Sequence, residues 1–252
     1  MPTLRPLILG GTSEANARAA LVAARGWEAT LSYAGRTAAP RAQPVAVRIG
    51  GFGGAAGLAA YMAREGVTHL VDATHPFAAR ISRNAVEAAR TAGVPLAALV
   101  RPPWRPGSGD DWRDVADTAG AVAALDGPAR RVFLAIGRHE VAAFAAAPRH
   151  RYLLRLVDPP EMPVPLPRHD VVLARGPFDP AGDRALMAAH GIEVVVAKNA
   201  GGTGARAKLD AARSLGLPVV MIVRPEVPAR REFADPAAVA DWIAHAPTAL
   251  GV

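Results

Sequence analysis

Gly10 and Gly11, directly after the apolar run Leu7-Ile8-Leu9, are the first residues whose types suit chemistry. Lacking side chains, they let the backbone come close to a pyrophosphate, and a helix starting just beyond aims its unpaired amides at that anion. Thr12 and Ser13 add hydroxyl donors. The run departs from G-x-G-x-x-G, and a tight strand-to-helix turn with a hydroxyl cap accounts for the same residues. The end of the second apolar run bears on the choice. A dinucleotide fold that takes NAD places an acid there for the ribose hydroxyls, whereas one that takes NADP meets the extra phosphate with Arg and small polar groups. Ser32-Tyr33-Ala34-Gly35-Arg36-Thr37 holds an Arg and hydroxyls but no carboxylate, which favours NADP over NAD.

Further candidates follow other apolar runs. Asp72-Ala73-Thr74-His75-Pro76-Phe77 places Thr74 and His75 at a strand's carboxyl end, where open α/β sheets bind ligands, with Pro76 expected to begin the next helix. His75 has the chemistry of a hydrogen-bond or proton donor near neutral pH, and a simple helix cap is the plainer alternative. Gly50-Gly51-Phe52-Gly53-Gly54 permits a cofactor to pass close to Gly51, or forms a flexible turn. Lys198-Asn199-Ala200-Gly201-Gly202-Thr203-Gly204 is a second glycine turn, so the first half is preferred for the cofactor because of Arg36. Lys198 and Lys208 are the two lysines in a chain otherwise served by Arg, and an ammonium can release a proton where guanidinium cannot. Arg175, before Gly176-Pro177-Phe178, and Arg101, Arg105 and Arg138 are suited to forked hydrogen bonds with carboxylates.

These residues need elements to position them. Strands are expected at 7–9, 29–32, 45–49, 69–71, 96–100, 132–136, 152–157, 171–174, 194–197 and 219–223, with helices over 12–24, 54–65 and 76–92. Asp179-Pro180 and Asp235-Pro236 combine a capping carboxylate with proline at the first helical position. Alternating strands and helices predict a mostly parallel α/β architecture. The Pro- and Gly-rich stretch from Arg101 to Trp112 interrupts both kinds of ladder, and a boundary there divides the chain into residues 1–104, binding the dinucleotide, and 105–252, a second α/β domain.

Composition narrows the class. The 252 residues are 51% hydrophobic, enough for a sizeable core. With no cysteine there are no disulfides, thiolate metal sites or cysteine nucleophiles, and no metal site is expected. No apolar run reaches the roughly 18 residues of a membrane span, and the start does not resemble a signal peptide, so a soluble cytoplasmic protein is expected. The net charge of +7 is spread along the chain and aromatics are 5%, a pattern that suits an anionic small molecule and not nucleic acid.

Gly10-Gly11-Thr12-Ser13-Glu14-Ala15, Ser32-Tyr33-Ala34-Gly35-Arg36, Asp72-Ala73-Thr74-His75-Pro76-Phe77-Ala78, Ala174-Arg175-Gly176-Pro177-Phe178 and Lys198-Asn199-Ala200-Gly201-Gly202 occur in this order across nearly the whole chain. The ordered set resembles the precorrin-6A reductase family of cobalamin biosynthesis. The family pattern has Ser at the place of Ala200, so no hydroxyl acts there. The resemblance implies two Rossmann-like halves with a ligand cleft between them, NADPH as cofactor, and flavin-free reduction of one double bond of precorrin-6A to give precorrin-6B. Joined to the residue reading, it makes Lys198 and His75 the catalytic candidates. Gly10, Gly11, Thr12, Ser13, Ser32, Tyr33, Gly35, Arg36, Gly51, Thr74 and His75 are expected to face the cofactor. Arg101, Arg175, Lys198, Asn199, Gly201 and Gly202 are expected to face the substrate, and the protein is expected to be a monomer or weak homo-oligomer. The alternative is another NADP-dependent reductase of a small anion, although neither lysine has the Tyr four residues earlier that the short-chain type shows.

Overall fold

Short apolar runs give the strands and the Ala-rich intervals give the helices. The computed structural model describes residues 3–10, 23–34, 42–160 and 162–246. The first sheet contains β1 (Pro6–Leu9), β2 (Thr30–Tyr33), β3 (Ala46–Ile49), β4 (His69–Asp72), β5 (Leu96–Leu99) and β12 (Arg231–Phe233), ordered β12-β5-β4-β1-β2-β3. The second contains β6 (Trp112–Val115), β7 (Arg131–Ala135), β8 (Arg151–Leu156), β9 (His169–Leu173), β10 (Val194–Lys198) and β11 (Val219–Ile222), ordered β6-β11-β10-β7-β8-β9. Every pairing is parallel. Parallel sheets require cover on both faces, and accordingly β1, β4 and β11 are buried along their whole length. The architecture is α/β and Rossmann-like, as expected.

The helices are α1 (Gly54–Arg64), α2 (Ala79–Ala92), α3 (Thr118–Ala124), α4 (Pro180–Ala189), α5 (Ala207–Ser214) and α6 (Pro236–His245), with a 3-10 helix at Arg138–Ala146. The expected helix over 12–24 falls mostly outside the described residues. The two Asp-Pro starts behave as anticipated: Asp179 accepts from the Gly182 amide at 2.9 Å and Asp235 from the Ala237 amide at 3.0 Å. Pro76, in contrast, does not begin a helix. The Ala78 amide bonds to the His75 carbonyl at 2.7 Å, and α2 starts at Ala79. Residues 73–78 therefore form a turn at the end of β4.

Two compact units result, and they differ from the expected division at 104/105. One runs up to Arg101 and resumes at Glu226; the other is the continuous stretch Pro102–Pro225. The chain returns to the first unit because β12 pairs with β5, Arg231 opposite Ala97 and Phe233 opposite Leu99. Val239 and Ile243 of α6 then join the core formed by Ile8, Leu31, Val71 and Ala97. The second unit has its own core around Phe133, Leu153, Met187, Val195 and Met221.

The two units are topological twins. Five strands of each sheet, β1 to β5 and β7 to β11, have the order third, second, first, fourth, fifth; the strand beside the fifth is β12, the last of the first unit, in one sheet and β6, the first of the second unit, in the other. The sequence carries the same repetition. Glu87-Ala88-Ala89-Arg90 and Asp210-Ala211-Ala212-Arg213 lie in the helices before β5 and β11. Gly93 and Pro95, then Val100-Arg101-Pro102, recur at the same spacing as Gly216, Pro218 and Val223-Arg224-Pro225.

Candidate active site

In open α/β sheets the ligand crevice lies at the carboxyl ends of the strands, where the strand order reverses. In the first unit this is the β1/β4 edge. Gly10 follows β1 there, and its amide donates to the Ser32 carbonyl at 2.8 Å, pulling the turn against β2. A Cβ at Gly10 would stand 2.8 Å from Leu31 Cδ1 and 3.3 Å from the Tyr33 ring, so any larger residue would displace the Leu31 side chain. Burial pushes the Tyr33 hydroxyl up from its ordinary value.

At the end of β4, the buried Asp72 organises the turn that carries Thr74 and His75. Its Oδ1 accepts from the Thr74 amide at 3.0 Å and from the Thr74 hydroxyl at 2.6 Å. Its Oδ2 pairs with Arg230, which is half-buried. The Thr74 proton is thus committed to Asp72, and its oxygen accepts from the Ser82 hydroxyl at 3.5 Å. His75 Nδ1 accepts from the Phe77 amide at 3.3 Å, which puts the proton of the neutral ring on Nε2. The N-cap of α2 is Ala78 and has no side-chain bond, so His75 does not cap that helix.

Arg48, at the carboxyl end of β3, completes this edge. It donates to the Gly50 carbonyl at 2.6 Å and the Gly51 carbonyl at 2.7 Å, and lies 3.4 Å from Ser32 Oγ. Its guanidinium stacks on Phe52 at 3.9 Å. Gly51 therefore serves in the loop through its carbonyl. Gly11, Thr12, Ser13, Gly35 and Arg36 lie outside the described residues. Arg48 was missed by sequence reasoning because one more Arg in an Arg-rich chain gives no signal. Its position just before the glycine cluster was the available clue.

The equivalent edge of the second unit lies between β7 and β10. Lys198 ends β10 and pairs with Glu140 of the 3-10 helix that follows β7. Glu140 also accepts from the Gly137 amide at 3.1 Å, so its carboxylate is fixed from two sides. Asn199 binds Trp104 reciprocally, accepting from its amide at 2.8 Å and donating to its carbonyl at 2.9 Å. Arg224 donates to the carbonyls of Asn199 at 2.9 Å and Ala200 at 3.1 Å. The Trp104 indole donates to the Gly202 carbonyl at 2.6 Å. Gly201 has φ of 70°, and a Cβ there would stand 2.3 Å from the Pro102 carbonyl oxygen. Only glycine fits.

The remaining substrate-side candidates are less enclosed or lie elsewhere. Arg175 is exposed and 3.5 Å from Asp158. Arg101 is half-buried at the end of the first unit's N-terminal segment. Arg105 and Arg138 are exposed. Beneath this edge, Lys208 is buried on α5, donates to the Ala205 carbonyl at 2.5 Å and lies 5.0 Å from the Trp104 ring. Burial, with a contribution from Arg155, lowers its pKa to about 8. The apolar neighbours Ala207, Leu209, Ala211 and Ala212 were the sequence signal that this lysine faces inward.

A family described as precorrin-6x reductase CbiJ/CobK matches residues 5–244. A precorrin-6A reductase of Rhodobacter capsulatus is 58% identical over 98% of this chain and 99% of its own length. One from Sinorhizobium sp is 52% identical over 87% and 85% of the two chains. A solved structure described as CobK precorrin-6A reductase superposes with a TM-score of 0.92 at 57% identity, covering 99% of this chain and all of that one.

Proposed function

The chain belongs to the precorrin-6x reductase CbiJ/CobK family, and from that premise we propose that it reduces precorrin-6A to precorrin-6B in cobalamin biosynthesis, using NADPH. The near full-length match to precorrin-6A reductases, spanning both strand edges, carries this reading. Such a reductase acts on a CH–CH group and draws on a nicotinamide cofactor. The first unit's donor set fits the phosphorylated form: no carboxylate ends β2, and the Arg48 guanidinium lies beside Ser32.

Gly10, Gly11, Thr12 and Ser13 would hold the diphosphate. Ser32, Tyr33, Gly35 and Arg36, with Arg48, would hold the adenosine ribose and its phosphate. Gly51 would line the passage, and Thr74 and His75 the nicotinamide end. When bound, NADPH supplies the hydride. Asp72 fixes the Thr74–His75 turn, so the imidazole is positioned without reorganisation. Lys198, held by Glu140, offers an ammonium to a substrate carboxylate or a proton to the reduced carbon unit. Asn199, Gly201 and Gly202 shape the turn beside it, while Arg101 and Arg175 steer the polyanion.

The deciding experiment mixes purified protein, NADPH and precorrin-6A and follows nicotinamide absorbance together with the tetrapyrrole spectrum. Coupled change in both, faster with NADPH than with NADH, is expected; nicotinamide oxidation without a tetrapyrrole change refutes the assignment. Lys198→Met should leave NADPH affinity intact and slow reduction. Unchanged turnover in that variant removes Lys198 from the mechanism.

A further inference from the structure

The turn after β10 is held by its carbonyl oxygens. Those of Asn199 and Ala200 are taken by Arg224, that of Gly202 by the Trp104 indole, and that of Ala205 by Lys208. In a planar trans peptide the N–H points opposite to the C=O. Fixing the Ala200 carbonyl on Arg224 therefore turns the Gly201 amide away from it, and fixing the Gly202 carbonyl on Trp104 does the same for the Thr203 amide. Neither amide has an acceptor among the described residues. A buried or half-buried N–H without a partner is costly, and Gly201 is buried. The side chains supplied to this turn are donors, so its own donors remain for an anion.

We propose that the Gly201 and Thr203 amides, flanked by the Lys198 ammonium, form a binding site for one carboxylate of the substrate, with Trp104 and Arg224 as the positioning residues that aim it. The proposal rests on the reading that the substrate is a tetrapyrrole carrying several carboxylates. Successive glycines at φ of 70° and 72° bend the chain around the point where the anion sits. Cations and an indole behind the turn, rather than in front of it, distinguish this arrangement from a surface cluster of arginines.

Trp104→Phe tests it, because the variant keeps an aromatic side chain packed in the core beside Lys208 and removes the indole donor to Gly202. Binding of precorrin-6A and of its methyl esters is measured by titration of the tetrapyrrole absorption band, in wild type and variant, beside NADPH affinity. The expected result is that the variant weakens binding of the free acid about tenfold, with binding of the ester and NADPH unchanged. Equal weakening of acid and ester, or no weakening of the acid, overturns the proposal. Arg224→Lys, which cannot bridge both carbonyls, should repeat the selective loss. Binding is scored apart from turnover: a wild type that binds the acid selectively but does not reduce it contradicts the proposed reaction and leaves this site standing, whereas one that binds neither form overturns both.

Discussion

Lys208 should make the protein more stable as the solution becomes alkaline. Its folded pKa is about 8 against an ordinary 10.5, so the unfolded chain holds the proton more tightly. Below about pH 8 both states are charged, and the fold bears the full cost of an ammonium that is 6% exposed. Each tenfold difference in proton affinity is worth about 1.4 kcal/mol, which puts that cost at about 3 kcal/mol. As pH rises through 8 the folded protein sheds the proton first, and stability climbs until the unfolded chain loses its own. Between about pH 7 and about pH 9.5 the gain is about 2 kcal/mol. Urea unfolding of wild type and Lys208→Met across that range isolates the effect, since other titrations cancel in the difference. In each protein taken alone, Tyr152, whose pKa is pushed up to about 12 by burial, removes stability once the unfolded phenol ionises near pH 10. The variant should lack the rise. Parallel curves for the two proteins would refute the claim that the folded state carries a buried charge at neutral pH.

Acid should act through His69 and His150, which are fully buried and whose pKa values burial lowers. The unfolded state then binds protons first, so unfolding midpoints should fall as pH drops below the ordinary histidine value of about 6.5; a midpoint flat from neutrality to about pH 5 contradicts this. Arg230→Met leaves Asp72 buried without its partner and should cost about 3 kcal/mol by urea unfolding. A loss below about 1 kcal/mol would mean that Asp72 is satisfied by Thr74 alone.

Where the apolar runs were long and local signals strong, the fold was legible in the sequence. The ten expected strands all form, and Asp179 and Asp235 cap as their Asp-Pro pairs suggest. The two unexpected strands explain themselves. Trp112-Arg113-Asp114-Val115 and Arg231-Glu232-Phe233 are edge strands with charged, exposed positions, so neither shows an apolar run. Missing the second one put the last 27 residues, Glu226 onward, in the wrong unit. Pro76 misled because proline fits the first turn of a helix equally well in a preceding loop. The Asp72–Arg230 pair joins residues 158 apart, a contact that no local pattern announces. The repeated Ala-Ala-Arg and Val-Arg-Pro segments were visible to a comparison of the chain with itself, and they point to Arg224 through its counterpart Arg101.

The discontinuous first unit sets the order in which the molecule can be completed on the ribosome. Its second unit, one unbroken stretch, has every strand in hand once Ile222 has emerged. The first unit waits longer: until Arg230 and β12 arrive, Asp72 lacks the Arg230 counter-charge and the side of β5 away from β4 lacks a neighbour. A chain cut after Pro225 should therefore hold a native second unit beside a first that lacks β12 and Arg230.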